Sequence, residues 1–324
     1  MKPELVEVVT NRKNPHIDPH LEIWEWQIPS YLFVGGLVAG LMVLIAALEL
    51  RRKQPARGRV APWLPLVAIG LISLGMFFLF LDLSNKEHVY RFYMAFRPTS
   101  AMSWGSWILL IVYPALALLF LGGLDTSLRE RLLGWRPVTA IRLRRPLTFL
   151  FEIADRQRAK VLWTSLFVGV GLGVYTGLLL GTMVARPIWN SAVMGPLFLT
   201  SGISTGAALM LLTQQDAEDT HVLVRWDIAA IAVELVLLAA LLIGFSTGSA
   251  ASRAVAASLL GGPYTAVFWS VIVLGGLLVP LVLNVLEVRR RLPMTTYAPA
   301  FVLIGGLALR FFFVAAGQAS FIPG

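Results

Sequence analysis

The sequence contains no cysteine among its 324 residues. This absence excludes disulfide bonds, thiolate chemistry and any iron–sulfur cluster held by thiolates of this chain. Only 14% of the residues are charged, whereas 57% are hydrophobic. Because a water-soluble core cannot hide so much apolar surface, we expect lipid to be the solvent of this protein. Residues 1–27 form a polar tail without the short apolar core of a signal peptide, so we predict no removable leader.

Histidine is also scarce, and every histidine falls in a predicted tail or loop. The four are His16, His20, His88 and His221. Membrane cytochromes of the b type need imidazoles that project from their spans, so we expect no haem in this chain. We also predict no metal site at His16 and His20, because Pro19 disfavours a helical pair there.

Eight apolar runs are each long enough to cross a bilayer core about 30 Å thick, which takes roughly 20 helical residues. These runs lie near 28–50, 62–83, 101–122, 161–184, 193–213, 226–247, 266–287 and 298–318. The predicted fold class is therefore an all-α integral membrane protein with eight transmembrane helices. An even number of spans places both termini on the same side of the membrane.

A weak internal repeat relates the first and fifth spans. Each carries a proline followed by two glycines four residues apart: Pro29 with Gly36 and Gly40, and Pro196 with Gly202 and Gly206. Small residues at this spacing let helices approach closely in lipid. The repeat predicts two tandem four-helix units. Along the chain we distinguish the tail 1–27, a first part with five spans at 28–213, and a second part with three spans at 214–324.

The distribution of lysine and arginine predicts the orientation. The four loops on one side, which include 51–61 and 123–160, carry 18 basic residues, whereas the N-terminal tail and the loops on the other side carry 8. Basic residues are retained on the cytoplasmic side, so we predict periplasmic termini and a location in the inner (cytoplasmic) membrane. The net charge is +9, but the lysines and arginines lie between apolar runs, which argues against nucleic-acid binding.

The loop 123–160 is the longest one and is rich in arginine. Trp135 and the segment IRLRR at 141–145 suggest an amphipathic stretch that contacts membrane lipids at the cytoplasmic leaflet. A simple cluster of charges that sets the topology is the alternative interpretation.

Ionisable side chains inside spans are costly to keep in lipid and are therefore functional candidates. Asp82 and Arg310 are predicted in the outer half of the membrane, as are Tyr31 and Tyr175. An acid, a cation and two phenols that converge on one pocket could hydrogen-bond both carbonyls of a quinone and relay protons to it. A buried Asp–Arg pair that only locks two helices together is the alternative.

Two predicted outer loops contain arginine, proline and tryptophan. Their sequences are RFYMAFRPTSAMSWGSW at 91–107 and ARPIWN at 185–190. Tryptophans at such places commonly anchor a protein at the membrane interface. Arginines on the side with few basic residues instead suggest a surface for docking another protein. The candidates for this docking surface are Arg91, Arg97, Trp104, Arg186 and Trp189.

The chain resembles the NrfD-like family, the membrane subunits of polysulfide reductase and related molybdenum-dependent complexes. The resemblance covers all eight spans and rests on those two loops together with WEWQIPSYLFVGGLVAG at 24–40, the stretch 175–208 and LRFFFVAAGQ at 309–318. It implies a haem-free subunit that binds menaquinone or ubiquinone near the outer face. It also implies partners on that face, namely an iron–sulfur subunit and a catalytic molybdopterin subunit.

The resemblance also implies roles for particular residues. The family's quinone-contacting tyrosine matches Tyr175, and its acid at the outer end of the second span matches Asp82. Tyr31 stands where family members can carry histidine, Arg310 matches the arginine of the eighth span, and Asn190 falls in the RPxWN motif. All five are predicted to contact the quinone.

Two further acids, Asp227 and Glu234, lie in the sixth span and are predicted to form a proton path. The internal repeat and the intramembrane charges are also compatible with a secondary transporter, although transporters commonly bind their substrates at the midplane. A purely structural membrane anchor is the third hypothesis.

Overall fold

The computed structural model describes residues 24–52, 62–136, 143–183, 186–213, 217–289, 291 and 296–320. Within these ranges the chain is helical and contains no strand. Eight helices are long and apolar enough to cross a membrane: α1 Gln27–Arg51, α2 Leu64–Asp82, α4 Ala101–Gly123, α7 Arg158–Gly181, α8 Met194–Leu212, α9 Ala217–Thr247, α11 Val267–Val288 and α12 Tyr297–Ala319. The shorter helices are α3 Arg91–Met94, α5 Thr126–Gly134, α6 Arg144–Arg156 and α10 Ala250–Leu260.

All eight predicted spans are confirmed, and the largest difference is at the start of the sixth. Helix α9 begins at Ala217 rather than near 226. Glu218 and Asp219 lie in its first turn, where carboxylates stabilise the positive end of the helix dipole. The helix therefore extends beyond the apolar run, and His221, which we expected in a loop, lies on this polar extension.

Helix α1 forms the centre of the bundle and packs against α2, α7, α8 and α12. Its contact with α8 is closest at the glycines of the repeat. A Cβ atom at Gly40 would overlap the carbonyl oxygen of Gly202, and a Cβ atom at Gly206 would overlap the backbone of Gly40. The two glycine motifs therefore pack directly against each other, as expected for small residues in lipid. The division into two four-helix units stays a prediction.

The first and last described segments meet at one end of the bundle, which we call the terminal end. The backbone N–H of Trp24 donates to Oε1 of Gln318 at 2.9 Å, and Nε2 of Gln318 donates to the carbonyl of Trp24 at 2.8 Å. At the opposite end, Arg158 of α7 forms three hydrogen bonds to Glu49 of α1, one from Nε at 3.0 Å and two from Nη2, which lies within 2.6 Å of both carboxylate oxygens. These contacts tie α1 to α12 at one end and to α7 at the other.

Candidate functional site

Two buried tyrosines face one small cavity close to the terminal end. Tyr31 of α1 is 2% exposed and Tyr175 of α7 is 8% exposed. Tyr31 lies four residues from the start of α1 and Tyr175 six residues from the end of α7, so both are within about 10 Å of the terminal end. The structure shows no hydrogen bond from either hydroxyl to another described residue. Each phenol therefore has a free donor for a ligand.

The remaining walls of this tyrosine cavity come mainly from α2, α4 and the segment around α3. The cavity measures about 70 Å³. Its other lining residues are Met76, Leu79, Phe80, Leu83, Val89, Phe92, Tyr93, Met102, Gly105, Ser106 and Leu109. The lining is thus apolar apart from three phenols and one serine, a composition typical of small-molecule sites that place a few polar groups in a hydrophobic pocket.

A second, more open cavity adjoins the first and leads to the surface at the terminal end. We call it the vestibule. It measures about 480 Å³ and shares Leu83, Phe92 and Met102 with the tyrosine cavity. The vestibule is also lined by His88, Arg91 and Arg97, among others. The tyrosines are therefore separated from a cationic surface opening only by shared apolar side chains.

Gly105 fixes the position of Tyr175. A Cβ atom at residue 105 would overlap Cζ and the hydroxyl oxygen of Tyr175. Gly35 of α1 faces α7, the helix that carries Tyr175, since a Cβ atom at Gly35 would lie 3.7 Å from Cγ2 of Thr176. The tyrosine ring lies against α4 because residue 105 has no side chain.

The start of α4 also holds the segment that covers the cavity. The hydroxyl of Ser106 donates to the carbonyl of Phe92 at 2.8 Å. Ser103 accepts a hydrogen bond from the backbone N–H of Arg97 at 2.9 Å, and Nε1 of Trp104 donates to the carbonyl of Pro98 at 2.8 Å. Three side chains within one helical turn therefore fold residues 92–98 over the tyrosines.

Tyr93, which lies outside the spans, is a cavity residue that the sequence did not reveal. Burial raises the pKa of its phenol, and the neighbouring Tyr113 adds to this effect. Tyr93 is therefore a neutral hydrogen-bond donor. Gly105 and Ser106 were missed in the same way, because we assigned their segment to partner docking. The available signal was serines three residues apart at the start of a span.

Asp82 lies beside the tyrosine cavity but does not line it. It is the last residue of α2, and the next residue, Leu83, contributes to both the cavity and the vestibule. A second acid, Glu25, interacts electrostatically with Asp82. The acid is therefore at the edge of the site.

Arg310 does not converge with the two tyrosines, in contrast to our expectation. It is 1% exposed, its guanidinium stacks over Phe198 at 4.1 Å, and Nη2 donates to the carbonyl of Phe198 at 3.0 Å. Gly36 faces this guanidinium. Since Gly36 is five residues after Tyr31, it lies about 140° around α1 from the tyrosine. Helix α1 thus separates Arg310 from the tyrosine cavity.

Arg310 instead belongs to a buried polar network among α8, α9, α11 and α12. Its members are Ser201, Ser204, Asp227, Glu234, Asn284 and Arg310. Glu234 interacts electrostatically with Arg310 and hydrogen-bonds with Ser201. The carboxylate of Asp227 accepts hydrogen bonds from Ser204 at 2.5 Å and from Asn284 at 2.7 Å.

Some atoms of this network have no partner in the described part of the chain. They are Nε and Nη1 of Arg310 and Oδ1 of Asn284. Buried polar groups are rarely left without a hydrogen bond, and water commonly supplies the missing one. We therefore expect internal water in this network.

The chain matches the family described as "Polysulphide reductase, NrfD" over residues 12–322. It belongs to the NrfD family. It is 31% identical to Protein NrfD of Escherichia coli (strain K12) over 312 residues, which cover 91% of this chain and 95% of that protein. It is 29% identical to a polysulfide reductase chain of Wolinella succinogenes over 317 residues, which cover 91% and 94%.

A more distant relative matches part of the chain. It is a putative dimethyl sulfoxide reductase membrane subunit from Halobacterium salinarum, 28% identical over 197 residues that cover 59% of this chain and 43% of that protein. The family assignment made from the sequence segments is therefore confirmed.

Asn190 of this NrfD-family protein lies on the other side of Tyr175. It is exposed in a groove of about 630 Å³ between α4 and α7, which is also lined by Trp104, Tyr175 and Leu178. Tyr175 thus borders both the tyrosine cavity and this α4–α7 groove, whereas Asn190 borders only the groove. The structure brings Asn190 near Tyr175 but not to the shared cavity.

Of the five residues predicted to dock a partner, Arg91, Arg97 and Trp104 are exposed at the terminal end. Arg186 and Trp189 are buried, at 5% and 2% exposure, so they do not form an accessible docking surface.

The contacts of these two residues explain their burial. Nη1 of Arg186 donates to the carbonyls of Gln318 and Ser320, and Nε1 of Trp189 donates to the carbonyl of Phe313, each at 2.7 Å. The indole also fits against Gly317, where a Cβ atom would overlap it. The RPxWN motif therefore fastens the end of α12, a contact that sequence position could not reveal.

The described histidines lie at the ends of the bundle. His88 lies in a 3₁₀ turn, Lys86–His88, at the vestibule, and His221 is exposed on α9. His16 and His20 lie outside the described residues.

Proposed function

We propose that this protein is the quinone-binding membrane anchor of a multi-subunit respiratory reductase. In this function it exchanges electrons between menaquinol or ubiquinol and an iron–sulfur partner subunit, which leads to a molybdopterin-containing catalytic subunit. The names of two relatives, one from polysulfide reductase and one a dimethyl sulfoxide reductase membrane subunit, support a place in a reductase complex. The observation that carries the quinone proposal is the pair of buried phenols, Tyr31 and Tyr175, facing one apolar cavity.

The residues present fit a quinone head group in chemical type. A flat apolar ring needs apolar walls, and its two oxygens need hydrogen-bond donors, which the free hydroxyls of Tyr31 and Tyr175 can supply. The cavity is small compared with ligand sites of about 300–1,000 Å³. Met76 and Met102 line it, and methionine side chains adapt readily to a new shape. We expect binding to displace these methionines and to join the cavity with the vestibule.

A bound quinol supplies two electrons and two protons. The chain's part is to hold and orient it: Tyr175, fixed against Gly105, and Tyr31 donate hydrogen bonds to the ring oxygens. The apolar walls exclude water from the tyrosines. The vestibule, which His88 lines, would give protons released at the site a route to the surface, and Asp82 lies beside this route.

The terminal end is assigned to the outside by the lysine and arginine distribution. Arg91 and Arg97 line the vestibule on that face, and Trp104 lines the neighbouring α4–α7 groove. A partner seated there would bring its redox centre to the side of the tyrosine cavity. This arrangement supports docking of the iron–sulfur subunit at the exposed part of the predicted surface.

Proton movement across the membrane is the second part of the proposal. Asp227 and Glu234 are buried on α9, seven residues or about 10 Å apart along the helix axis. Hydroxyl and amide groups surround both, and the unpartnered atoms of Arg310 and Asn284 favour water between them. A chain of acids, hydroxyls and water can carry protons, so these residues form the candidate path.

The test compares Tyr31→Phe and Tyr175→Phe with Tyr297→Phe in the assembled complex. Tyr297 is 68% exposed at the opposite end of the bundle and provides a matched control. Loss of one hydrogen bond of about 1–1.5 kcal/mol should raise KM for a quinol analogue about 5- to 13-fold. Organic extraction of the purified complex should release quinone, and less from the two cavity variants. An unchanged KM together with an unchanged quinone content in both cavity variants would reject the site.

A further inference from the structure

Helix α6 has three distinct faces, although it is outside the membrane spans. Phe151 and Ala154 are buried against the end of α4, where they contact Leu121 and Leu124. Phe149, at 62% exposure, and Leu150, at 39%, form an apolar face that nothing in the described structure covers. The remaining face carries charged side chains. A helix on the surface of a soluble protein has two such faces, one buried and one polar, so the exposed apolar face requires a separate explanation.

The connections of α6 place it at the level where the spans end. Only Gln157 separates its last residue from the first residue of α7. Arg129 of α5 donates to both carboxylate oxygens of Asp155 at 2.6 and 2.9 Å, and to the carbonyls of Leu121 and Leu124 at the end of α4. Helix α6 is therefore fixed to the ends of two spans, at the level where their apolar segments stop.

The charges on α6 border its exposed apolar face. Arg145 and Arg156 are eleven residues apart, which places them within about 20° of each other around the helix. Phe149 follows Arg145 by four residues and lies on the next turn of nearly the same side. Glu152 lies between the two arginines along the chain and within about 40° of both around the helix, and Arg144 is on the far side of the polar face. Asp155 is neutralised by Arg129, so the exposed charge of α6 is positive.

We propose that α6 lies in the membrane interface at the opposite end of the bundle and that Arg145 and Arg156 bind the headgroups of anionic phospholipids. An interfacial helix inserts apolar side chains among the acyl chains and keeps arginines at the level of the phosphates. Phe149 and Leu150 supply the apolar side chains. Guanidinium groups bind phosphate through paired hydrogen bonds, so the arginines favour an anionic headgroup.

The absence of cysteine allows site-specific labels to measure the depth of each face. The test places a nitroxide on Phe149→Cys or on Glu152→Cys in the full chain, reconstituted in bilayers of phosphatidylcholine with a minority of phosphatidylglycerol. We expect residue 149 to collide mainly with oxygen, which concentrates in lipid, and residue 152 mainly with a water-soluble nickel chelate. Free access of nickel to residue 149 would overturn the proposal. Access of neither reagent would also overturn it, because a protein or a second copy of the chain would then cover this face.

A second measurement tests the preference for anionic lipid. A fluorophore at residue 149 is quenched by spin-labelled phosphatidylglycerol or by spin-labelled phosphatidylcholine. Stronger quenching by phosphatidylglycerol is expected, with the ratio falling about 5-fold for each of Arg145→Gln and Arg156→Gln. Arg253→Gln, an exposed arginine on α10, should leave the ratio unchanged. Equal quenching by both lipids in the parent protein would overturn the headgroup assignment.

Discussion

Gly105→Ala provides a sharp test of how the protein positions Tyr175. The new methyl group would overlap the end of the Tyr175 ring, so the ring has to move by roughly 1.5 Å before an ordinary contact of about 3.5 Å is reached. Overpacking of this kind costs about 1–3 kcal/mol if the ring cannot leave. Here the α4–α7 groove borders the other side of Tyr175, so the ring can swing towards it.

The displacement should therefore affect function more than stability. A misplacement of 1 Å can reduce turnover about 100-fold, whereas a cost near the lower limit of about 1 kcal/mol lowers Tm by only a few degrees. The assays are the oxidation rate of a quinol analogue by the assembled complex and thermal unfolding of the purified protein. Gly70→Ala is the matched control, because a Cβ atom at Gly70 on α2 meets nothing within 4 Å. Full activity of Gly105→Ala, or a loss of activity that only follows a large loss of folded protein, would refute this reasoning.

Three further predictions concern other parts of the bundle. Glu234→Gln should abolish the movement of protons across the bilayer in proteoliposomes, while electron transfer and the release of the quinol's own two protons continue; proton movement across the bilayer in this variant would exclude Glu234 from the path. Arg158→Gln leaves the partly buried Glu49 without its cation, so thermal unfolding should show a loss of about 1–3 kcal/mol; an unchanged Tm would contradict the importance of this pair. Gly40→Leu would force α1 away from Gly202, and the variant should not accumulate in membranes, as immunoblotting can measure; normal accumulation would contradict the close crossing.

The eight spans were predictable from the sequence because each is a long apolar run, and lipid imposes that length on every helix. The start of α9 was not, since a helix can extend into water when acids such as Glu218 and Asp219 stabilise its first turn. Hydropathy records the part of a helix that lies in lipid, but it does not record the polar extension.

The candidate site was predicted in part. Depth along each span can be estimated by counting residues, and this placed Tyr31, Tyr175 and Arg310 in the same half of the bundle. Counting does not give the direction in which a side chain points once helices pack. Arg310 was therefore predicted to be a partner of the tyrosines, but it faces Glu234 on the other side of α1. Trp189 was misassigned for a similar reason, because its contact with α12 joins residues 124 positions apart.

Photolabelling with an azidoquinone tests the central claim most directly. The assembled complex is illuminated with the bound probe, and the labelled peptides are identified by mass spectrometry. We predict adducts on the segments that contain Tyr31, Met102 and Tyr175, and competition by unlabelled menaquinol or ubiquinol. Labels concentrated instead around Glu234 and Arg310, or labels that neither menaquinol nor ubiquinol displaces, would contradict the tyrosine cavity as the quinone site.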